Sequence, residues 1–282
     1  MPSLKFSLIM ATLGRSDEII AMLDSLLLQN YTNFELIIVD QNEDDRVKVI
    51  YDEYRSKLDL RYFYCREKGL SKARNMGLKY ITGNIVAFPD DDCEYEYDTL
   101  LKVTAFFEEN NEYNFYTCNT KEKNGGKSVL DTSKNDCIVT VSNLMSVGIS
   151  FTIFVRSAAI AAFSFDEQLG VGAFFGSGEE SDLLLYLIRN NNIGMYHSGH
   201  FIYHPQKKET AERVYSYSLG FGAVYKKSLC VYRFYTMFFI FLYRILRNIG
   251  KLCLHPSDKT ARYLVKGRTA GFLKYRPLKY NK

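Results

Sequence analysis

The sequence predicts an α/β fold, with a mostly parallel central sheet flanked by helices and a helical C-terminal extension. Short apolar runs without helical periodicity alternate with amphipathic segments at the spacing of βα units. Beyond about residue 206 the chain becomes basic and aromatic. The length of 282 residues suits one large α/β domain plus an extension, and 47% apolar and 24% charged residues exclude global disorder.

The first 119 residues contain most of the strand and helix signals. Strands are expected at 6–11, 35–39, 61–64, 85–88 and 113–118. Helices are expected around the apolar face of 19–27 and over 44–57, 71–80 and 98–109. Runs such as ELIIV at 35–39 are typical of parallel strands that are buried on both faces.

The following segment is less regular. Residues 120–136 are polar with two adjacent glycines, which predicts a loop or hairpin, and 166–178 are rich in Gly and Phe, which predicts a loop. Strands are expected at 150–155 and 201–204, and a helix with a leucine-rich stripe at 179–189.

Charge is distributed unevenly. Residues 1–200 hold 19 Lys and Arg against 29 Asp and Glu, whereas 201–282 hold 17 against 3, a net charge of +14. The basic part also contains 17 of the 42 Phe and Tyr residues. A basic and aromatic tail indicates a polyanionic surface as partner, either a membrane or a nucleic acid.

The most apolar stretch lies in this tail at 229–246. Its uncharged part, between Arg233 and Arg244, is only ten residues long, which is too short to span a bilayer. The stretch predicts an interfacial amphipathic helix with Phe and Tyr inserted among anionic lipids. The alternative is a helix packed on the preceding α/β domain. Clustered apolar residues at 234–243 do not suit a solvated nucleic-acid groove, so no nucleic acid is expected.

Six cysteines without a C-x-x-C pair argue against a zinc ribbon or a disulfide scaffold and fit a reducing cytosol. The N-terminus lacks a basic start followed by a long apolar run, so no signal peptide is expected.

Polar residues follow three of the expected strands. Thr12 to Arg15 follow the first, Asp40 and Gln41 the second, and Asp90-Asp91-Asp92 the fourth. Functional groups of parallel α/β sheets gather at such strand ends. Three adjacent carboxylates repel one another, so a buried sheet end tolerates them only beside a cation, and their oxygens suit Mg²⁺ or Mn²⁺. The alternative is a solvated acidic turn.

Three further segments offer chemistry. Gly69 to Asn75 opens a helix whose N-terminal N–H groups and Arg74 suit a phosphate or an acidic residue. Gly178 to Asp182 is an acidic cluster that supplies a general base, or else only complements the helix dipole. His204 after an apolar run completes a metal site or is structural.

In this order, these pieces resemble the family-two glycosyltransferases of the GT-A fold over about residues 4–205. The bacterial members that build capsules, exopolysaccharides and the O-antigens of lipopolysaccharide are most similar. The resemblance implies an inverting, metal-dependent transfer of a sugar from a nucleotide-diphosphate donor, a UDP-sugar, to a hydroxyl of a lipid-linked glycan acceptor. It implies Mn²⁺ or Mg²⁺ as cofactor and a cytoplasmic protein, peripheral at the inner face of the cell membrane.

The resemblance also assigns residues. Thr12 and Arg15 would contact the nucleotide, and Asp40 its base, with Gln41 as a neutral variation beside it. Arg74, with Gly69, Lys72 and Asn75 of the same segment, would lie near the diphosphate and sugar. Asp90 and Asp91 would address the sugar and ribose, and Asp92 would bind the metal with Asp90 and His204. Glu180 would be the base, with Glu179 and Asp182 as alternatives.

These roles imply a catalytic domain at 1–205, made of a nucleotide-binding half at 1–119 and an acceptor-side half at 120–205, and an extension at 206–282.

An alternative function is a sugar-nucleotide nucleotidyltransferase. Such enzymes need a glycine-rich loop with a basic residue after the first strand, and Thr12-Leu13-Gly14-Arg15 is a poor version of it. No G-x-G-x-x-G follows the first strand, which argues against a dinucleotide oxidoreductase.

Overall fold

A computed structural model describes residues 4–124, 135–206 and 209–277. The chain forms two compact units. The first comprises the described residues of Met1–Lys68, Lys72–Ser164 and Asn191–Lys207, and the second those of Gly69–Ser71, Phe165–Asn190 and Lys208–Lys282.

The first unit contains a nine-stranded sheet. Its strands are β1 (Phe6–Thr12), β2 (Phe34–Asp40), β3 (Leu60–Tyr64), β4 (Ile85–Ala87), β5 (Glu94–Tyr95), β6 (Tyr113–Lys121), β7 (Cys137–Ile138), β8 (Phe154–Arg156) and β9 (Ile193–Tyr203). Their order is β3-β2-β1-β4-β8-β6-β9-β5, with β7 paired to β9. Strands β1 to β4 pair in parallel, as do β6 and β9, whereas β8 runs antiparallel to both its neighbours. The predicted α/β fold with a mostly parallel sheet is confirmed.

The helices of the first unit alternate with its parallel strands. They are α1 (Asp17–Leu27), α2 (Arg46–Tyr54), α3 (Leu70–Leu78), α4 (Thr99–Glu109) and α5 (Leu144–Val147), and the first turn of α3 belongs to the second unit. Leu8 and Met10 of β1 and Ile38 of β2 have no exposed surface and join the core cluster that also contains Leu23 of α1. Burial of these apolar side chains is the main force that holds the strand ends in place.

The second unit is helical. It contains α6 (Glu179–Arg189), α7 (Ala211–Lys227), α8 (Tyr235–Leu254) and α9 (Lys259–Lys274). A π-helical turn at Ser228–Tyr232 and Arg233, whose φ of 59° is left-handed, separate α7 from α8. Helices α7 and α9 cross closely, since a Cβ on Gly271 would lie 2.0 Å from the Leu219 carbonyl oxygen. Among the described residues, no helix combines the length and apolarity needed to cross a bilayer.

Four expected elements differ from the structure. Within 150–155, Ser150–Thr152 form a 3₁₀ turn and β8 begins only at Phe154. The expected strand at 201–204 is the end of the longer β9, and the expected helix at 229–246 is instead α8, which starts at Tyr235. Strand β6 extends to Lys121, two residues into the expected loop at 120–136. Residues 125–134 of that loop lie outside the described residues.

Candidate functional site

The parallel pairing of β1 with β2 and β4 brings the three strand-end segments together. Thr12 lies opposite Asp40 in the register of β1 and β2, and Ala11 forms a bridge with Asp90 just after β4. The Thr12 hydroxyl donates a hydrogen bond of 2.8 Å to Oδ2 of Asp91. The structure therefore places the first strand end against the acidic triplet, as expected for one edge of a parallel sheet.

Two arginines neutralise part of the acidic triplet. Arg15 Nε lies 3.1 Å from Oδ1 of Asp91, and Arg15 Nη2 lies 2.7 Å from Oδ2 of Asp92. Arg74, whose side chain is 2% exposed, lies 3.3 Å from Oδ1 of Asp90. Burial raises the pKa of Asp91 to about 6, although Arg15 and the Thr12 hydrogen bond oppose the shift. The cation that the triplet requires is thus supplied in part by side chains.

Asp90, Asp92 and His204 form a group that could hold a metal ion. One ligand atom from each lies within 4.8 Å of the others. His204 Nε2 is 3.2 Å from Oδ1 of Asp92 and 4.0 Å from Oδ2 of Asp90. The imidazole stacks on Phe151 with a centroid distance of 4.6 Å and an interplanar angle of 6°, which fixes its direction. The two carboxylates supply the oxygen ligands that Mg²⁺ and Mn²⁺ prefer, and His204 offers a nitrogen beside them, so these residues fit the expected cofactor.

A cavity adjoins this group. Its volume is about 380 Å³, and Asp92 and His204 contribute to its wall. The remaining lining includes Glu18, Glu94 and Tyr203. A cavity of this size is within the range of small-molecule sites in proteins.

Asp40 is fully buried at the end of β2. Its Oδ1 accepts hydrogen bonds from the backbone N–H and the side-chain amide of Asn42, at 2.9 and 2.7 Å. Its Oδ2 accepts a bond of 2.7 Å from the Tyr62 hydroxyl, and burial together with this bond raises the pKa of Tyr62. The amide of Gln41 donates to the carbonyl of Glu67. These contacts fix the turn that follows β2.

The segment from Gly69 to Asn75 begins with a glycine at a φ of 135°, which favours a residue without a side chain. Lys72 pairs with Glu67 at 2.5 Å, and Asn75 is half-buried. Arg74 donates to the Ser150 hydroxyl in addition to Asp90, so this guanidinium is oriented by two partners. Ser150 belongs to the 3₁₀ turn that replaces the expected strand start.

The three acids at the start of α6 have different environments. Gly178, with a φ of 97°, precedes the helix. Asp182 is 1% exposed, and its oxygens lie 2.8 Å from Lys227 Nζ and 2.9 Å from the Tyr232 hydroxyl. Glu179 is 4% exposed, whereas Glu180 is half-buried and accepts a bond from Ser181. Glu180 is therefore the most accessible of the three.

Asp182 belongs to a buried polar cluster that the sequence did not reveal. We call it the Lys227 cluster, and its members are Asp166, Asp182, Lys227, Tyr232 and Tyr275. Burial raises the pKa of Asp182 despite Lys227 and Tyr232, whereas at Asp166 the opposing effects of Lys227 and Tyr275 prevail over burial and lower the pKa. No sequence signal identifies Lys227, because the adjacent Lys226-Lys227 pair is typical of a solvated helix end.

Comparison with known proteins identifies the family. Residues 7–162, more than half of the chain, match the family described as Glycosyl transferase family 2. The chain belongs to this family. The resemblance noted in the sequence is thereby confirmed, and the match favours it over the nucleotidyltransferase alternative.

Several family relatives share part of the chain. An uncharacterized glycosyltransferase of Rickettsia felis is 30% identical over 125 residues, 44% of this chain and 21% of that protein. The poly(ribitol-phosphate) beta-N-acetylglucosaminyltransferase TarS of Staphylococcus aureus is 34% identical over 110 residues, 38% of this chain and 19% of that protein. These matches span about a fifth of the relatives' length.

Solved structures share the fold. The crystal structure of S. aureus TarS 1-349 in complex with UDP-GlcNAc has a TM-score of 0.65 and 24% identity, covering 80% of this chain and 67% of that chain. A second structure, the crystal structure of S. aureus TarS, has a TM-score of 0.64 and covers 80% of this chain and 40% of that chain. The GT-A fold expected from the resemblance is confirmed.

Proposed function

We propose that this protein transfers a sugar from a UDP-sugar to a hydroxyl of a glycan acceptor in bacterial surface-polysaccharide synthesis. The observation that carries the proposal is the group of Asp90, Asp92 and His204 beside a cavity, in a chain of glycosyl transferase family 2. A similar structure is the TarS complex with UDP-GlcNAc. Other relatives are named for amylovoran and minor teichoic acid biosynthesis.

Asp90, Asp92 and His204 would hold Mn²⁺ or Mg²⁺. When bound there, a divalent ion supplies positive charge that stabilises the diphosphate leaving group. Arg74 would add a fixed positive charge beside Asp90, because Ser150 and Asp90 already orient its guanidinium. Thr12, Arg15, Asp40 and Gln41 at the neighbouring strand ends would bind the nucleotide, together with Gly69, Lys72, Asn75 and Asp91.

We propose Glu180 as the general base. An acceptor hydroxyl must reach the base directly, and Glu180 is the accessible acid at the start of α6. Asp182 is fully engaged with Lys227 and Tyr232, so it would hold the helix rather than take a proton. Glu179 stays the alternative base. A single displacement with Glu180 as base would invert the anomeric centre.

The acceptor that we propose is a lipid-linked glycan, used at the inner face of the cell membrane. The net charge of +14 over 201–282 supports this placement, because the cytoplasmic leaflet is negatively charged. Incubation of the protein with UDP-sugars and lipid-linked glycans, followed by mass spectrometry of the lipid extract, would identify both substrates.

The first test is calorimetric titration of UDP into the protein with Mn²⁺ and then with EDTA. We expect micromolar binding that requires the metal and is lost in Asp92→Asn. Asp59→Asn, at an exposed carboxylate on the first unit, is the matched control and should bind normally. Absence of UDP binding in the unaltered protein under both conditions would refute the UDP-sugar assignment.

A second variant tests the base. Glu180→Gln should retain metal-dependent UDP binding and lose sugar transfer, since only proton removal is affected. Full transfer by Glu180→Gln would move the assignment to Glu179.

A further inference from the structure

Helix α8 carries a row of exposed apolar side chains on one face. Apart from the adjacent Leu242 and Tyr243, its members recur at spacings of three to five residues, which places them on one side of the helix. They are Tyr235 (64% exposed), Phe239 (67%), Leu242 (37%), Tyr243 (64%), Leu246 (65%), Ile249 (42%) and Leu254 (78%). We call this row the α8 stripe. Such a contiguous apolar surface marks an interaction site rather than ordinary protein surface.

The opposite face of α8 already holds the helix in the second unit. Met237 and Phe241 are buried, and the Phe241 ring stacks on Phe272 of α9 with a centroid distance of 4.6 Å. The sequence favoured insertion of Phe and Tyr from 229–246 without distinguishing these faces. The α8 stripe is therefore not required for packing within the unit.

Arginines accompany the α8 stripe. Arg247 is exposed next to the stripe, whereas Arg244 lies toward the packed face, where its side chain hydrogen-bonds to Tyr225. Burial and the charges of Arg244 and Arg247 lower the pKa of Arg268 of α9, although Tyr225 opposes the shift. Within 4–124, 135–206 and 209–277, no carboxylate lies at ion-pair distance from any of the three. The Nε atom of Arg268 is buried and, over the same residues, has no hydrogen-bond partner.

Nearby guanidiniums without a carboxylate repel one another, and an anion that binds beside them relieves this repulsion. Arg247 follows Tyr243 by one helical turn, so the basic cluster borders the apolar row. One molecule that supplies both an anionic phosphate and an adjoining apolar phase is an anionic phospholipid. A soluble anion would leave the α8 stripe exposed to water.

We propose that the α8 stripe inserts into the surface of an anionic membrane, with α8 lying parallel to the bilayer and the exposed Arg247 at the border of the stripe binding a lipid phosphate. No described helix could span the bilayer, so this is a surface attachment. The proposal does not depend on the sugar-transfer function, and its test needs no nucleotide.

The test is cosedimentation of the whole protein with vesicles of phosphatidylcholine alone or mixed with phosphatidylglycerol. We expect binding to the mixed vesicles that weakens as salt is raised. The double variant Phe239→Ser/Leu246→Ser should lower the partition coefficient about tenfold or more, because two large apolar groups no longer leave water. Arg247→Gln should lower it about fivefold.

Leu28→Ser/Arg55→Gln is the matched control, with an equally exposed leucine and an exposed arginine on the first unit, and should bind like the unaltered protein. Circular dichroism and thermal unfolding verify that each variant is folded. Equal vesicle binding by the stripe variants would overturn the proposal. So would inorganic phosphate binding without vesicle binding, or a dimer that the stripe variants dissociate, which would assign the face to a second copy.

Discussion

Replacing Lys227 with methionine should destabilise the second unit strongly. The Lys227 side chain is 1% exposed, and its Nζ lies 2.9 Å from Oδ2 of Asp166 and 2.8 Å from Oδ2 of Asp182. Methionine fills similar volume but leaves both buried carboxylates without a cation. Asp166 keeps hydrogen bonds from the Tyr275 hydroxyl, at 2.5 Å, and from the backbone N–H of Gln168, at 3.1 Å. Asp182 keeps a bond of 2.9 Å from the Tyr232 hydroxyl.

The expected loss is about 3–5 kcal/mol in the free energy of unfolding, the usual cost of removing one partner from a buried ion pair. Most folded domains have only about 5–15 kcal/mol in total, so the transition should shift visibly. Urea unfolding followed by circular dichroism measures it. Lys227→Arg keeps the charge and should lose less.

The loss of unfolding free energy in Lys227→Met should depend on pH. Lys227 lowers the pKa of both aspartates, and burial already raises that of Asp182. Without Lys227 both folded-state pKa values rise above those of the unfolded chain. A carboxyl with a raised folded-state pKa favours the folded state below the unfolded pKa, and this contribution is lost as pH rises through the folded pKa. The difference in unfolding free energy between the unaltered protein and Lys227→Met should therefore become smaller as pH is lowered.

Neutralising the whole cluster provides the control. The triple variant Lys227→Met/Asp166→Asn/Asp182→Asn carries no buried charge and should recover much of the stability lost by Lys227→Met. A loss below about 1 kcal/mol for Lys227→Met, with no dependence on pH, would mean that water screens the cluster as at a surface ion pair, and would refute the reasoning.

Two other predictions concern packing and donor binding. Gly271→Ala should cost about 1–3 kcal/mol in urea unfolding, because the new methyl group would lie 2.0 Å from the Leu219 carbonyl oxygen. A Cβ on Gly250 of α8 would meet no atom within 4 Å, so Gly250→Ala is the control and should stabilise by about 0.5–1 kcal/mol. An equal gain in Gly271→Ala would contradict the close packing of α7 and α9. Arg74→Lys should weaken metal-dependent UDP binding about tenfold in calorimetry. The Arg74 guanidinium contacts Asp90 and Ser150 through Nη2 and lies over the Phe88 ring, 5.6 Å from its centroid, and a compact ammonium group cannot reproduce this planar arrangement. Unchanged affinity would remove Arg74 from the donor site.

The parallel strands were predictable because residues buried on both faces leave continuous apolar runs, as at 35–39. Strand β9 was harder, because its residues 193–200 mix polar and apolar types and depend on pairing with distant β6. The two-residue strands β5 and β7 are too short to produce any periodicity. At 150–155 the strand starts late, and Ser150 of the preceding 3₁₀ turn contacts Arg74, a residue 76 positions away that no local pattern reveals.

The residues at the strand ends were also predictable, because parallel strands end at one sheet edge. The side chains that these residues contact were not predictable. Pairing of Arg15 with Asp92 and stacking of His204 on Phe151 join residues that are far apart in sequence. The Lys227 cluster likewise joins positions from 166 to 275, and only the folded chain brings them together.

The Lys227 cluster makes the start of α6 dependent on the C-terminal helices. Asp182 and the proposed base Glu180 lie on the same helical turn, while Lys227, Tyr232 and Tyr275 all come from 206–282. A chain ending at residue 206 would leave Asp166 and Asp182 without these partners. We expect such a truncated chain to lose order in α6 and to lose sugar transfer, as measured by hydrogen exchange and a transfer assay. Native protection of α6 in the truncated chain would show instead that 1–205 is an independent domain, as the sequence led us to expect.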